Sequence, residues 1–276
     1  MIGLLLAPLL LGVINKTKAL FAGRRGPPLL QAYFDLIKLL RKGAVYSRTT
    51  TWVFRAGPIV GLAAVIMALA IVPFGGWAPI SFGGDFLVLA ALLAVMRFFL
   101  VAAALDTGSA FEGMGASREV QFSALAEPAL LLCLAALARQ TDAMSLSGMT
   151  AAPLTVEALV TAALAVVFLA ENSRIPVDDP NTHLELTMVH EVMVLDHGGP
   201  DLAFILYGAS LKLWVLGSVL LLPIRSPWVA LGGMFGLAVA TGVVESTIAR
   251  LRLLRVPQLL VGASVLAALA LMLVLR

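Results

Sequence analysis

Cysteine, histidine and charged residues are scarce in this chain of 276 residues. A disulfide needs two cysteines and an iron–sulfur cluster needs about four, so the single Cys133 excludes both within this chain, as well as a cysteine-based metal site. Charged residues make up 13% and hydrophobic residues 61% of the sequence, whereas soluble domains have about 25% charged and about 45–50% apolar residues. The composition indicates an integral membrane protein.

Eight apolar runs account for most of the chain. A hydrocarbon core about 30 Å thick requires roughly 20 apolar residues per helix, so eight helices use about 160 residues and leave room for short loops but for no separate soluble domain. The sequence therefore predicts a single all-α polytopic membrane domain over residues 1–276, with about eight transmembrane helices. The runs cover residues 2–15, 57–74, 86–105, 120–138, 154–170, 202–222, 228–247 and 257–275.

The first run is short for a full crossing. Either it extends through Lys16, whose charged end can reach the membrane surface, or it is a shortened span. The run lacks the basic start and the small-residue cleavage pattern of a signal peptide, so we expect it to be a span.

Lysines and arginines are distributed unequally between the two ends of the runs. Nine lie between the first two runs, and five more follow runs three, five and seven. Only three follow runs four, six and eight, on the opposite side. Because basic loops stay in the cytoplasm, these segments are predicted to be cytoplasmic and both termini to lie on the opposite side. The net charge of +3 reflects this bias and does not indicate a nucleic-acid partner.

Residues 27–43 are predicted to form an amphipathic helix. Pro28 suits the first helical turn and Gly43 suits the end. The helix either borders a cavity or docks a partner, or it is a plain connector held by lipid headgroups. Its apolar face carries Leu30, Tyr33, Phe34, Ile37 and Leu40.

Titratable residues are concentrated between residues 171 and 201, which hold seven of the 16 acids and all three histidines. Loops of this length are usually functional. Because Asp179 and Pro180 suit an N-cap and a first turn, we expect a second helix over about residues 180–197. The acids are Glu171, Asp178, Asp179, Glu185, Glu191, Asp196 and Asp201.

The three histidines, His183, His190 and His197, are spaced by seven residues and share one face of such a helix. Residues seven apart are separated by about 10 Å along a helix, too far to hold the same ion. Val194 also stands where an HExxH zinc motif starting at His190 would need its second histidine. The sequence predicts titratable or structural histidines and no metal site.

Four charged residues lie within or beside apolar runs. Each costs about 2.5–3.5 kcal/mol at the centre of a membrane helix, so such residues are retained when they pair, face a wet cavity or carry protons. The alternative for Glu127 and Glu245 is that they lie at the membrane interface, where a charge costs little free energy. A wet row of carboxylates and histidines would suit proton transfer. The four residues are Arg97, Glu127, Lys212 and Glu245.

The stretch ENSRIPVDDP, which begins at Glu171, resembles the E-x-N-R-x-P-F-D-x-P-E segment of the subunit 1 family of respiratory complex I. The longer stretch ENSRIPVDDPNTHLELTMVHEVMVLDHGGPDLAF is still more similar to the homologous subunit of membrane-bound, energy-converting nickel–iron hydrogenases of the formate-hydrogenlyase type. GRRGPPLLQAYFDLIKLLRKG and LDTGSAFEGMGASRE also match, so three motifs occur in order over nearly the whole chain.

The resemblance implies a subunit that anchors a soluble electron-transfer module to the inner (cytoplasmic) membrane of a prokaryotic cell and couples its reaction to ion translocation. The implied partners are a hydrogenase-like large subunit, a small iron–sulfur subunit, antiporter-like membrane subunits and the lipid bilayer. Nickel–iron and iron–sulfur centres are expected in those partners, and no cofactor is expected in this chain.

The site residues are carried over by position. Glu171, Arg174, Asp178 and Glu185 match the loop motif, Glu127 matches a carboxylate of the fourth span, and Gly26, Pro27 and Gln31 match the amphipathic segment. The coupling and proton-path candidates are Glu171, Arg174, Asp178, Asp179, Glu185, Glu191, Glu127 and Glu245. The partner-docking candidates are Arg24, Arg25, Gln31, Arg118 and His190.

Two departures from the complex I pattern favour the hydrogenase branch, in which protons accept the electrons and quinone is not required. Asn181, Thr182 and His183 replace a second acidic pair, and the stretch from His190 to His197 replaces a His-Thr-Glu-Tyr run. The alternatives are a quinone-chamber subunit of an NADH:quinone oxidoreductase-type complex and a purely structural anchor. A stand-alone transporter would predict an internal repeat, and none is evident.

Overall fold

The computed structural model describes residues 2–149, 154–178 and 188–276, and these ranges are helical apart from turns and one isolated bridge between Phe74 and Trp77. The α-helices are α1 (Ile2–Phe21), α2 (Gln31–Leu40), α3 (Trp52–Ile71), α4 (Asp85–Asp106), α5 (Ala110–Thr141), α6 (Leu154–Glu171), α7 (Gly199–Leu220), α8 (Pro227–Thr247) and α9 (Val256–Val274). Two short 3₁₀ helices cover Glu191–Val194 and Leu253–Arg255.

The helices confirm an all-α membrane protein. In the described part of the chain, seven of them are long and apolar enough to cross a membrane, namely α1, α3, α4, α5, α7, α8 and α9. Helix α6 has 18 residues, borders residues outside the described ranges, and carries charge only at Glu157 and Glu171. With α6 included, the count agrees with the prediction of about eight spans.

Helix α1 is longer than its apolar run, because it continues through Lys16 to Phe21 over 20 residues. At its start, Gly3 lies so close to Trp214 that a Cβ atom there would be 2.7 Å from the indole Nε1. Pro8 has no N–H group for the carbonyl of Leu4, and the hydroxyl of Tyr207 donates to that carbonyl at 2.8 Å instead. The first span is therefore an extended helix fastened to α7.

Helix α5 is also longer than predicted. It has 32 residues and a length of roughly 48 Å, whereas its apolar run covers only residues 120–138. Glu112, Arg118 and Glu119 interrupt the hydrophobicity of its first turns, although those turns are helical. Because a hydrocarbon core is about 30 Å thick, α5 projects beyond it.

Helix α2 is shorter than the predicted 27–43. Pro28 lies in the turn that precedes it, where its carbonyl accepts the N–H of Gln31 at 3.1 Å. Tyr33 bonds to the carbonyl of Leu5 and so fastens α2 to α1. No residue of α2 is buried, and its apolar face, including Phe34, remains about half exposed.

The predicted helix over residues 180–197 is wrong for its described part, because residues 188–197 form turns and one 3₁₀ helix. Contacts with other elements hold this segment in place of helical hydrogen bonds. Asp178 accepts the N–H of His190 at 3.2 Å, and Glu112 accepts the N–H of Asp196 at 3.1 Å. Asp179, His183 and Glu185 lie outside the described residues.

The loops gather at two ends of the helix bundle. At one end, Asp106 accepts the N–H of Thr51 at 2.6 Å, and Pro176 accepts that of Leu251 at 2.9 Å. This end bears 14 of the 19 lysines and arginines, and we call it the basic face. At the opposite end, the buried Asp85 accepts the N–H of Leu146 at 2.7 Å.

Gly115 in α5 provides the close contact that seats residues 188–194. A Cβ atom at Gly115 would lie 2.3 Å from Val192 Cγ1 and 2.8 Å from the Val189 carbonyl oxygen. We expect Gly115→Ala to destabilise the protein by about 1–3 kcal/mol through overpacking, and to speed proteolysis between residues 172 and 198.

The matched control is Gly236→Ala in α8, where a Cβ atom meets nothing within 4 Å. Alanine raises helix propensity by about 1 kcal/mol at both positions. Equal melting temperatures and equal cleavage rates of the two variants in detergent would show that Gly115 does not position this segment.

Candidate functional site

A buried arginine in α4 is the centre of the site. The Nη2 atom of Arg97 lies 2.6 Å from each carboxylate oxygen of Glu171, at the end of α6. Its Nη1 atom bonds to Glu127 of α5, and its Nε atom lies 3.6 Å from Glu119, also of α5. The side chain is 9% exposed, so the guanidinium joins three helices away from solvent.

Helix α7 completes this group through Lys212, whose Nζ lies 3.5 Å from Glu171 Oε2. Glu171 therefore contacts two cations, and its side chain is 5% exposed. We call Arg97, Glu119, Glu127, Glu171 and Lys212 the Arg97 cluster. It contains three carboxylates and two cations, so it has a charge of −1 when every member is ionised.

Two further carboxylates, Glu245 and Asp178, form ion pairs near the basic face. Glu245 of α8 contacts Lys18 Nζ at 2.7 Å and Arg174 Nη1 at 3.2 Å, and its side chain has no exposed surface. Asp178 contacts Arg250 Nη2 at 2.8 Å. Glu245 lies near the end of α8, which agrees with the alternative that it is interfacial, but its side chain is buried and paired.

A cavity of about 300 Å³ lies between these groups. Its lining includes Glu171 and Lys212 of the Arg97 cluster, together with apolar residues that include Leu11, Met96, Ile205 and Leu213. The charged and titratable residues of its lining are Glu171, Arg174, Asp178, His190, Glu191 and Lys212. The cavity therefore brings charged and titratable side chains from the loops of the basic face next to Glu171 and Lys212.

A smaller cavity of about 10 Å³ lies between Glu119, Glu171 and Asp178. This volume corresponds to about one water molecule. The two cavities share Glu171 and Asp178 in their linings, so these carboxylates border both spaces.

Both described histidines are held in their neutral form. Burial lowers the pKa of His190 to about 4, and Lys212 lowers it further while Asp178 opposes the shift. Burial likewise lowers the pKa of His197 to about 4, against the effect of Asp201 and Asp196. His197 also stacks on Phe54, with ring centroids 3.9 Å apart. In the described ranges, no group of three or more His, Cys, Asp or Glu residues could hold a metal ion.

The structure brings six of the eight predicted coupling residues together. Glu127 and Glu171 belong to the Arg97 cluster, and Arg174, Asp178, Glu191 and Glu245 line the large cavity or pair beside it. Asp179 and Glu185 lie outside the described residues.

The docking candidates have different surroundings. Arg24 and Arg25 are exposed, whereas Gln31 donates to Asp35 within α2 at 2.8 Å. Arg118 donates to the Met188 carbonyl at 2.8 Å, and His190 lines the large cavity. These last two side chains contact their own chain, and their role in docking stays a prediction.

Three members of the ion pairs were not predicted from the sequence, namely Glu119, Lys18 and Arg250. Glu119 ends the LDTGSAFEGMGASRE motif and lies about two helical turns before Glu127. Extending the predicted helix back along the side that carries Glu127 would have included it. Lys18 lies just past the apolar part of α1. Arg250 counted only toward the charge bias, because nothing in its local sequence indicates Asp178 as its partner.

Comparisons with known proteins agree with this architecture. The sequence profile of the NADH dehydrogenase family matches residues 1–276. Hydrogenase-4 component C of Escherichia coli (strain K12) is 35% identical over 224 residues, which are 78% of this chain and 70% of that protein. Formate hydrogenlyase subunit 4 of the same organism is 35% identical over 216 residues, 75% of this chain and 69% of that protein. The resemblance stated from three motifs is confirmed.

A solved structure shares the fold. A chain of the membrane-bound sulfane sulfur reductase, an archaeal respiratory membrane complex, superposes with a TM-score of 0.86 over 99% of this chain and 95% of that chain. The two sequences are 19% identical, so this likeness concerns the fold alone.

Removal of the central cation should destabilise the protein strongly. We expect Arg97→Met to cost about 3–5 kcal/mol, because it leaves buried carboxylates without their cation. Glu127→Gln should cost less, since the Glu127 side chain is 40% exposed. Thermal unfolding in detergent measures both losses. Addition of Glu171→Gln to Arg97→Met should restore part of the stability, and a strictly additive double variant would contradict direct coupling between the two residues.

The low pKa values of the histidines predict a pH dependence of stability. Unfolded histidine has a pKa of about 6.5, above the folded value of about 4. The unfolded chain therefore binds more protons between these values, and stability falls as the pH drops from about 6.5 toward 4. His197→Phe should make the melting temperature less dependent on pH in this range, and an unchanged dependence would exclude His197 as a contributor.

Proposed function

The chain belongs to the NADH dehydrogenase family, and on that premise we propose that it is the membrane-anchoring and ion-translocation-coupling subunit of a complex I-like energy-converting hydrogenase. Two relatives at 35% identity are named as a component of hydrogenase-4 and a subunit of formate hydrogenlyase. The same relatives support the more general statement that the chain is a membrane subunit of a hydrogenase- or complex I-like respiratory complex.

One observation carries the proposal. Glu171 and Lys212 of the Arg97 cluster line the same cavity as Arg174, which pairs with Glu245, and the rest of the lining includes residues of the segments 172–178 and 190–194. A purely structural anchor would need ion pairs, but it would not need a water-accessible space between them. Buried charges that border such a space are typical of ion pathways.

The basic face is the proposed docking surface. Exposed cations there include Arg24, Arg25, Lys38, Arg41 and Lys42. By the excess of basic residues this face is cytoplasmic, where a soluble module with acidic surface would meet it. The proposed partners are a hydrogenase-like large subunit and a small iron–sulfur subunit on this face, with antiporter-like subunits beside the helix bundle. The nickel–iron and iron–sulfur centres are assigned to those partners.

The proposed coupling is electrostatic. Reduction of a partner's cluster above the basic face adds negative charge near Asp178 and the cavity, which favours proton uptake there. Glu171 is held by Arg97 and Lys212, so its protonation weakens both contacts and frees the guanidinium to move toward Glu127. Charge at the surface is thereby converted into a rearrangement inside the membrane.

A second candidate is a quinone-chamber subunit of an NADH:quinone oxidoreductase-type complex. The large cavity favours it, because a volume of about 300 Å³ with both apolar and charged lining residues reaches the lower end of the range of small-molecule pockets. Quinone retained by the purified complex, and displaced by a quinone-site inhibitor, is the result that would select this candidate.

Neutralising single carboxylates of the Arg97 cluster should stop ion transport without stopping hydrogen evolution. We expect Glu171→Gln and Glu127→Gln to lower the number of ions moved per hydrogen molecule at least tenfold in vesicles, while hydrogen evolution by the docked module continues. Glu157→Gln, a carboxylate at the other end of α6, is the matched control and should transport normally. Normal transport by both cluster variants, with assembly checked by co-purification, would refute the coupling role.

A further inference from the structure

The Arg97 cluster contains one more carboxylate than cation. Glu119, Glu127 and Glu171 face Arg97 and Lys212, and the charges that act on Glu119 come from Lys212, Arg97 and Glu171. The nearby Asp178 and Glu245 have their own cations, Arg250 and the pair Lys18 and Arg174. An excess negative charge away from water is unfavourable, so the cluster has a physical reason to bind one proton.

Glu119 is the least paired of the three carboxylates. Glu171 receives two contacts of 2.6 Å from Arg97, and Glu127 is bonded to the same guanidinium. Glu119 has one contact of 3.6 Å with Arg97 Nε, and its side chain is 15% exposed. Within the described part of the chain it receives no hydrogen bond, so it gains least from being ionised.

The small cavity gives that proton a way to leave. It has room for about one water molecule and is lined by Glu119, Glu171 and Asp178, with Ser123 and Ser173 as further polar residues. A water there would lie between the carboxyl of Glu119 and the carboxylate of Glu171. Glu171 and Asp178 also line the large cavity, so a proton on either carboxyl group lies next to that space.

We propose that Glu119 binds the exchangeable proton of the Arg97 cluster and exchanges it through one water with Glu171. In the transfer, the O–H bond of Glu119 breaks, the water passes a proton on, and an O–H bond forms on Glu171. The negative charge moves from Glu171 to Glu119, and Arg97 keeps its protons throughout. The part of this step in ion translocation rests on the proposed function, whereas the protonation of Glu119 does not.

Infrared difference spectroscopy of the intact complex in lipid nanodiscs tests the protonation. The wild type should show a carbonyl-stretch band of a protonated carboxylic acid that shifts in D₂O. Glu119→Gln should lose this band. Glu119→Asp, which keeps an acid and guards against a folding defect, should retain it at a shifted frequency. Glu157→Gln is the control and should leave the band unchanged.

Two outcomes would overturn the proposal. In the first, the band persists in Glu119→Gln, whether or not Glu127→Gln loses it. In the second, the band appears in the wild type only after sodium is removed, which would make sodium the resident cation. Ion transport in vesicles separates this proposal from the coupling role. Loss of the band in Glu119→Gln together with a wild-type complex that moves no ions would support the protonation and refute the proposed function.

Discussion

The guanidinium of Arg97 is the interaction on which the membrane part of the structure depends. A charge at the centre of a membrane helix costs about 2.5–3.5 kcal/mol, and it is tolerated here because three carboxylates from two other helices surround it. Lys212 of α7 contacts Glu171 and so joins α7 to this group of ion pairs. Side chains of α4, α5, α6 and α7 therefore meet in one group of ion pairs.

This network reaches the surface because the loops of the basic face lie directly against it. Gly115 lets residues 188–194 approach α5 within contact distance, and Asp178 holds both His190 and Arg250. The segment after Glu171 is also bound to α8 and to the loop that follows it, since Arg174 contacts Glu245 and the N–H of Leu251 donates to the carbonyl of Pro176. A partner bound at this face would act on groups that already touch the buried pairs.

The sequence predicted much of the architecture, since hydrophobicity alone locates helices in a membrane. It predicted Arg97, Glu127, Lys212 and Glu245 as buried or interfacial charges, and the loop motif indicated Glu171, Arg174 and Asp178. It did not predict that α5 starts at Ala110, because charged residues interrupt its apolar pattern, and Glu119 was missed for that reason. The helix expected over residues 180–197 was wrong in its described part, because contacts with α3 and α5 outweigh local helix signals. Partners such as Arg250 for Asp178 depend on tertiary packing, which no local pattern contains.

We propose that this subunit couples a hydrogenase-type reaction to ion movement through the Arg97 cluster. The most direct test of this coupling is to purify the native complex by a tag on this chain, and to measure its metals, its quinone content and ion uptake by vesicles during hydrogen evolution. We expect nickel in a co-purifying large subunit, no bound quinone, and ion uptake that stops when hydrogen evolution stops. A complex without nickel that retains quinone, or one that evolves hydrogen without moving ions, would contradict it.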